Sequence, residues 1–167
     1  MMKEVTTKAK PETGQFPALL REVFASPPYN SDPRREMMLN HILAGRQATL
    51  DRILPILAYL NQEIDQMSVL DAGCGSGMGT AALTDAGFRK IVGFDLGWET
   101  IGLPLAPTRT FHPDASITFI QANGFKIPLA SNSIDFCWSS FVVEHIPTPY
   151  PFFQEIFRVL APGGIVY

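Results

Sequence analysis

Along the first half of the chain, apolar residues return at helical steps. After Asp32-Pro33, Met38, Ile42, Leu50, Ile53, Leu54, Leu57 and Leu60 recur at intervals built from three and four residues, the period of one helix face. Asp32 is suited to cap that helix and Pro33 to its first position, while Pro55 is expected to kink or divide it. From Val69 the period changes. Short apolar runs at Val69-Leu70, Ile91–Asp95, Ile117–Ile120, residues 133–140 and Ile165–Tyr167 read as strands. Helical patterns lie between them: Ala81, Ala82, Leu83 and Ala86, closed by Gly87, and then Phe152, Phe153, Ile156, Phe157 and Leu160. The last set is expected to be one core-facing stripe that opens at Thr148-Pro149-Tyr150-Pro151 and is stopped by Pro162-Gly163-Gly164. Strands alternating with helices predict an α/β fold with a mainly parallel sheet.

Three segments follow from this pattern. Residues 1–31 are an arm rich in Pro, Thr, Lys and Glu, with a short apolar patch from Phe16 to Phe24 that reads as a mobile arm or a short docking helix. Residues 32–66 are a helical segment expected to pack with a solvated polar face. Residues 67–167 are the α/β domain.

The chemistry concentrates where the first strand ends, at Asp71-Ala72-Gly73-Cys74-Gly75-Ser76-Gly77. Glycine at alternate positions lets the backbone turn sharply and lets a ligand lie directly against it. A dinucleotide fingerprint needs glycines at G-x-G-x-x-G. Counting from Gly73 puts Met78 in the third slot, and counting from Gly75 puts Thr80 there. A P-loop needs a Lys after its last glycine, and no Lys or Arg occurs from Val69 to Phe88. The turn therefore suits a ligand without a phosphate chain. Asp95 ends the next strand about 20 residues beyond Gly73, where a βαβ crossover returns a carboxylate to the same edge, able to accept from both hydroxyls of a ribose.

The Asp71–Gly77 stretch resembles motif I of the class I S-adenosylmethionine-dependent methyltransferases. The resemblance continues through Ile91-Val92-Gly93-Phe94-Asp95, Asp135-Phe136-Cys137-Trp138-Ser139 and Phe157-Arg158-Val159-Leu160-Ala161-Pro162-Gly163-Gly164, similar to the second strand, the fourth strand and the turn before the fifth. It implies a Rossmann-like three-layer sandwich with strand order 3-2-1-4-5 and an N-terminal helical extension, residues 32–66, packing on the site or lidding it with His41 or Arg46 turned to the ligand. It further implies that S-adenosylmethionine, leaving as S-adenosylhomocysteine, is bound by Asp71, Ala72, Gly73, Cys74, Gly75, Gly77, Asp95, Leu96, Asn123, Gly124, Phe125 and Ser139. Ser139 offers its carbonyl to the methionine ammonium. Asn123 stands where the family commonly has an adenine-binding Asp, keeping an acceptor oxygen without the charge. Phe125 and Trp98 are candidates to flank the adenine. His145, after the fourth strand, is the candidate general base or acceptor ligand, and His112 reads as a loop histidine.

Composition agrees with one enzyme domain: 167 residues, 46% hydrophobic and 17% charged. A net charge of −3 gives no electrostatic footprint for nucleic acid or an anionic membrane. Cys74 and Cys137 fall in separate elements and suggest neither a disulfide nor a metal framework, and Glu144-His145 are adjacent positions that do not share a helix face. No leader-like apolar region or membrane-length run occurs, so a cytoplasmic protein without a membrane partner is expected.

The expected activity is methyl transfer to a small-molecule or lipid-like acceptor. A binding module holding the cofactor without turnover would share these residues, and a nicotinamide oxidoreductase would share the fold but not the glycine spacing. Ser26-Pro27-Pro28-Tyr29 resembles the catalytic motif of DNA amino-methyltransferases. That motif must follow the fourth strand, where Ser139-Ser140-Phe141 stands, so it reads here as a linker. Family members continue past the position of Tyr167, so the domain is expected to be incomplete at this end and prone to self-association along the fifth-strand edge.

Overall fold

The computed structural model describes residues 15–27, 29–58, 63–97 and 112–167. Leu60 and Trp98 lie outside the described residues. Five strands, β1 (Ser68–Ala72), β2 (Lys90–Asp95), β3 (Ser116–Gln121), β4 (Ile134–Trp138) and β5 (Leu160–Val166), form one sheet in the order β3-β2-β1-β4-β5. Every neighbouring pair is parallel, as the alternation of strands and helices predicts.

The inner strands β1, β2 and β4 bury both faces, as parallel strands under helices do. Val69 and Ile91 point to one side, where they meet Leu83 of α3 (Met78–Ala86) and Ile53 of α2 (Arg35–Leu57). Phe88 and Phe136 stack there at 5.3 Å between ring centroids. Leu70, Ala72 and Phe94 point to the other side, against Phe152, Ile156 and Val159 of α4 (Tyr150–Val159). Each fully buried Leu, Ile or Phe contributes about 1.5–3 kcal/mol, so both helical layers are held firmly on the sheet. The patch near Phe24 is a docking helix, α1 (Gln15–Ala25), whose Leu20 and Phe24 pack on Leu39, Ile42 and Ala81.

Several expectations are corrected. Pro55 does not divide α2: it falls in the last turn, and the helix runs unbroken to Leu57. Helix α2 begins at Arg35 rather than Pro33, because Asp32 caps a preceding turn, accepting from the Arg34 N–H at 2.8 Å on its side chain and from the Arg35 N–H at 3.0 Å on its carbonyl. The buried stripe is Leu39, Ile42, Arg46, Thr49 and Ile53, while Leu54 is exposed. The α4 stripe is only half core, since Phe153 and Phe157 are exposed. The Pro162-Gly163-Gly164 turn lies inside β5 as a bulge: Ile134 pairs with Leu160 but Phe136 with Ile165.

Register decides where the site forms. Ala72 of β1 pairs with Phe94 of β2, so Gly73, just past β1, and Asp95, the last residue of β2, stand side by side at the carboxyl edge of the sheet.

Candidate functional site

The chain leaves β1 into a turn in which Gly73, Gly75 and Gly77 have φ of +76°, +49° and +79°. These left-handed values favour glycine, and a Cβ on Gly73 would stand 2.3 Å from Cγ2 of Val142. The N–H groups of Gly73 and Cys74 both donate to the Phe94 carbonyl at 2.9 Å, which ties the turn to the end of β2.

Asp95 fastens two loops at once. Its Oδ2 accepts from the Gly75 N–H and its Oδ1 from the Gly97 N–H, each at 2.9 Å. Each oxygen keeps a further lone pair beyond that bond, so the carboxylate is oriented by backbone without being used up.

Asp71 lies behind the turn and is 3% exposed. Gly77 caps α3 without a side chain, and Asp71 reaches across from β1 to the open end of that helix, its Oδ2 accepting from the Thr80 hydroxyl at 2.6 Å. Burial pushes its carboxyl up to about 6, opposed by hydrogen bonds from the Thr80 hydroxyl and N–H and reinforced by the charge of Asp95. Burial also raises both thiols, Cys74 well above the usual range and Cys137 up to about 12. Neither is poised as a thiolate nucleophile or metal ligand, and no group of metal-binding side chains occurs among the described residues.

A cavity of about 380 Å³ opens at the carboxyl ends of β1 to β4, the crevice where open α/β sheets take ligands. Gly73 lines it from β1, Phe94, Asp95 and Leu96 from β2, Ala122, Asn123, Gly124 and Phe125 from β3, and Phe141, Val142, His145, Ile146 and Pro147 from the segment after β4, with Phe152 of α4. The cavity thus brings together seven sequence-predicted residues: Gly73, Asp95, Leu96, Asn123, Gly124, Phe125 and His145. Asp71, Ala72, Cys74, Gly75, Gly77 and Ser139 are not in its lining. Ala72 and Cys74 are buried behind it, while Gly75 acts on it through Asp95.

Local geometry refines three of these residues. Asn123 Oδ1 accepts from the Phe125 N–H at 2.9 Å, closing a turn that holds Phe125 out. Ser139 is fixed by its N–H donating to the Tyr167 carbonyl, and its buried Oγ has no hydrogen-bond partner among the described residues. His145 ends a short 3-10 turn, Val143–His145, and is exposed to the cavity.

Sequence reading missed Phe141 and Val142. Phe141 is 72% exposed and has φ of +59°, a conformation unusual for an aromatic residue and costing about 1–3 kcal/mol. Strain of this kind clusters at functional sites. The two candidates on α2 do not face the cavity. His41 is exposed, and Arg46 is buried against Asp85 of α3, which also lies 3.1 Å from Nε2 of the buried His112.

Residues 70–167, more than half of the chain, match the family described as methyltransferase domain. The chain belongs to this family. Over 101 residues it is 39% identical to an uncharacterized methyltransferase of Mycobacteroides abscessus, covering 59% of this chain and 37% of the relative. Over 123 residues it is 35% identical to one of Mycobacterium ulcerans, covering 74% and 46%. The aligned stretch thus spans less than half the length of these curated relatives. Among solved structures, an S-adenosylmethionine-dependent methyltransferase from Mesorhizobium loti superposes with a TM-score of 0.53 at 28% identity, over 67% of this chain and 49% of that one. A SAM-dependent methyltransferase from Methanosarcina mazei gives 0.58 at 28%, over 67% and 55%. No helix among the described residues is long and apolar enough to cross a membrane.

Proposed function

We propose that this chain binds S-adenosylmethionine in the cavity at the ends of β1 to β4 and holds a small-molecule or lipid-like acceptor beside it for methyl transfer. The observation that carries the reading is Asp95, a carboxylate oriented by two backbone N–H groups on a cavity floored by Gly73. Its remaining lone pairs suit the two hydroxyls of a ribose. Leu96 and Phe125, both exposed apolar side chains in the lining, suit the two faces of an adenine, and Asn123 and Gly124 its edge. Gly73 lets the ligand lie on backbone, and the carbonyl of Ser139 is the acceptor for an ammonium.

When bound, S-adenosylmethionine supplies a methyl group already activated for displacement. The protein then contributes mainly alignment and exclusion of water. Phe141, Val142, Ile146 and Pro147 give an apolar wall for the acceptor, and His145 takes its proton where the acceptor must lose one.

Calorimetry with S-adenosylhomocysteine tests the cofactor half. Asp95→Ala removes two charge-assisted hydrogen bonds worth roughly 1.5–3 kcal/mol each, and binding should weaken at least tenfold with the fold intact. Unchanged affinity would reduce Asp95 to a loop anchor. Mass detection of methylated products from an acceptor panel tests the other half. Tight binding without any methylated product would favour a non-catalytic cofactor-binding module.

A further inference from the structure

The described arginines treat their charge in one consistent way, with one exception. Arg21, Arg34, Arg35, Arg46, Arg89 and Arg158 each pair with a carboxylate. Arg52 has no hydrogen bond or ion pair to a described residue. The carboxylate next to it, Asp51, accepts from Gln47 Nε2 at 2.8 Å instead. The Arg52 guanidinium lies 5.4 Å from the ring centroid of Phe141, at the rim of the cavity.

Both partners stand on fixed supports. Arg52 precedes Ile53, which is fully buried in the core that carries β1 and β4. Phe141 precedes Val142, whose methyl groups pack on the bare Cα of Gly73. The strained Phe141 backbone keeps the ring exposed in the cavity mouth. A guanidinium above a ring interacts through its face, which leaves its edge N–H groups free to donate in a planar fork suited to carboxylate or phosphate. The wall beside it, Val142, Ile146 and Pro147, holds no charge. Apart from the imidazole of His145, the only charged lining group is Asp95, whose two oxygens already accept from backbone.

Building on the cofactor reading above, we propose that the methyl acceptor is an amphipathic anion. Its apolar body lies between Phe141 and the Val142–Pro147 wall, and its carboxylate or phosphate is met by the edge of Arg52. Phe141 is then a specificity-determining residue and Arg52 the anion ligand.

The test is calorimetry on the chain saturated with S-adenosylhomocysteine, using phenylacetate, phenyl phosphate and the neutral phenylacetamide as probes. At least one anion should bind tenfold or more tightly than the amide, and the tighter anion identifies the acid class. Arg52→Gln should erase that preference, Arg52→Lys should keep part of it, and Phe141→Ala should weaken anion and amide alike. Neither Arg52 variant should change S-adenosylhomocysteine affinity. Equal binding of acid and amide, a preference that survives Arg52→Gln, or no binding by any probe would overturn the proposal. Failure of S-adenosylhomocysteine to bind the wild-type chain would overturn the cofactor reading instead, and the two failures are read in separate titrations.

Discussion

Asp71 is 3% exposed, and burial holds its carboxyl at about 6 against 3.8 for the free group. An acid raised on folding binds more protons in the native state, so this group's contribution to stability falls as pH rises from about 4 to about 6. The difference of about two units corresponds to about 3 kcal/mol lost at neutral pH. Asp71→Asn keeps an oxygen for the Thr80 hydroxyl and removes the charge. It should raise stability at pH 7 and flatten the dependence between pH 4 and 6, as measured by urea unfolding across that range. An unchanged profile would show that the helix terminus and Thr80 already stabilise the charge fully. His145 gives a second check at this scale. If it takes a proton from the acceptor, His145→Ala should lower turnover and remove a dependence near neutral pH while cofactor affinity stays constant. A variant with the wild-type pH profile would leave His145 as lining only. The placement of Asp71 and Asp95 beside the glycine turn was legible because glycine spacing and strand ends fix where backbone and carboxylate meet. The position of Phe141 in the cavity mouth was not, because it rests on a left-handed backbone and a contact with Arg52, eighty-nine positions away in sequence, and neither leaves a local pattern.

Among the elements, α2 was read correctly as a helix with Ile42 and Ile53 inward, but Arg46 and Thr49 were not placed in the buried stripe and Leu54 was wrongly included. An apolar count favours Leu50 and Leu54, yet the stripe that packs is Leu39, Ile42, Arg46, Thr49 and Ile53. Arg46 faces inward because α3 supplies Asp85 and the segment before β3 supplies His112, both buried with it. No single helix contains that information. The same reason explains α4, where periodicity gives an apolar face but only a neighbouring element decides which of its residues are covered. Three elements meet at the acid, so Asp85→Asn removes the carboxylate that Arg46 and His112 both face. Breaking a buried pair from one side costs about 3–5 kcal/mol, which denaturant midpoints will register. The double change Arg46→Met with Asp85→Leu should recover most of that loss, since an apolar replacement of a buried pair is often neutral or better. If the double variant is no more stable than Asp85→Asn, the network is holding geometry that apolar packing cannot replace.

On the scale of the whole molecule, the sheet order followed from alternating strands and helices together with the methyltransferase resemblance, and register carried it to the site. Because Ala72 pairs with Phe94, one parallel ladder fixes the glycine turn and Asp95 together, and a ligand gripping both stabilises the sheet rather than a loop alone. A ligand that binds only the native state raises its stability by about 2.7 kcal/mol at a hundredfold excess over its dissociation constant. For a chain of 167 residues, each kcal/mol moves the melting temperature by roughly 2–4 °C. S-adenosylhomocysteine at that excess should therefore raise it by about 5–10 °C. NAD and ATP at the same concentration should leave it unchanged, because the G-x-G-x-G turn has neither the third glycine of a dinucleotide fingerprint nor a basic residue for a phosphate chain. Asp95→Ala should cut the shift sharply, since in the proposed binding mode it removes a carboxylate that is fastened to both loops. A shift with NAD equal to or larger than that with S-adenosylhomocysteine would mean that the glycine spacing does not select the ligand, and the cofactor assignment would fall with it.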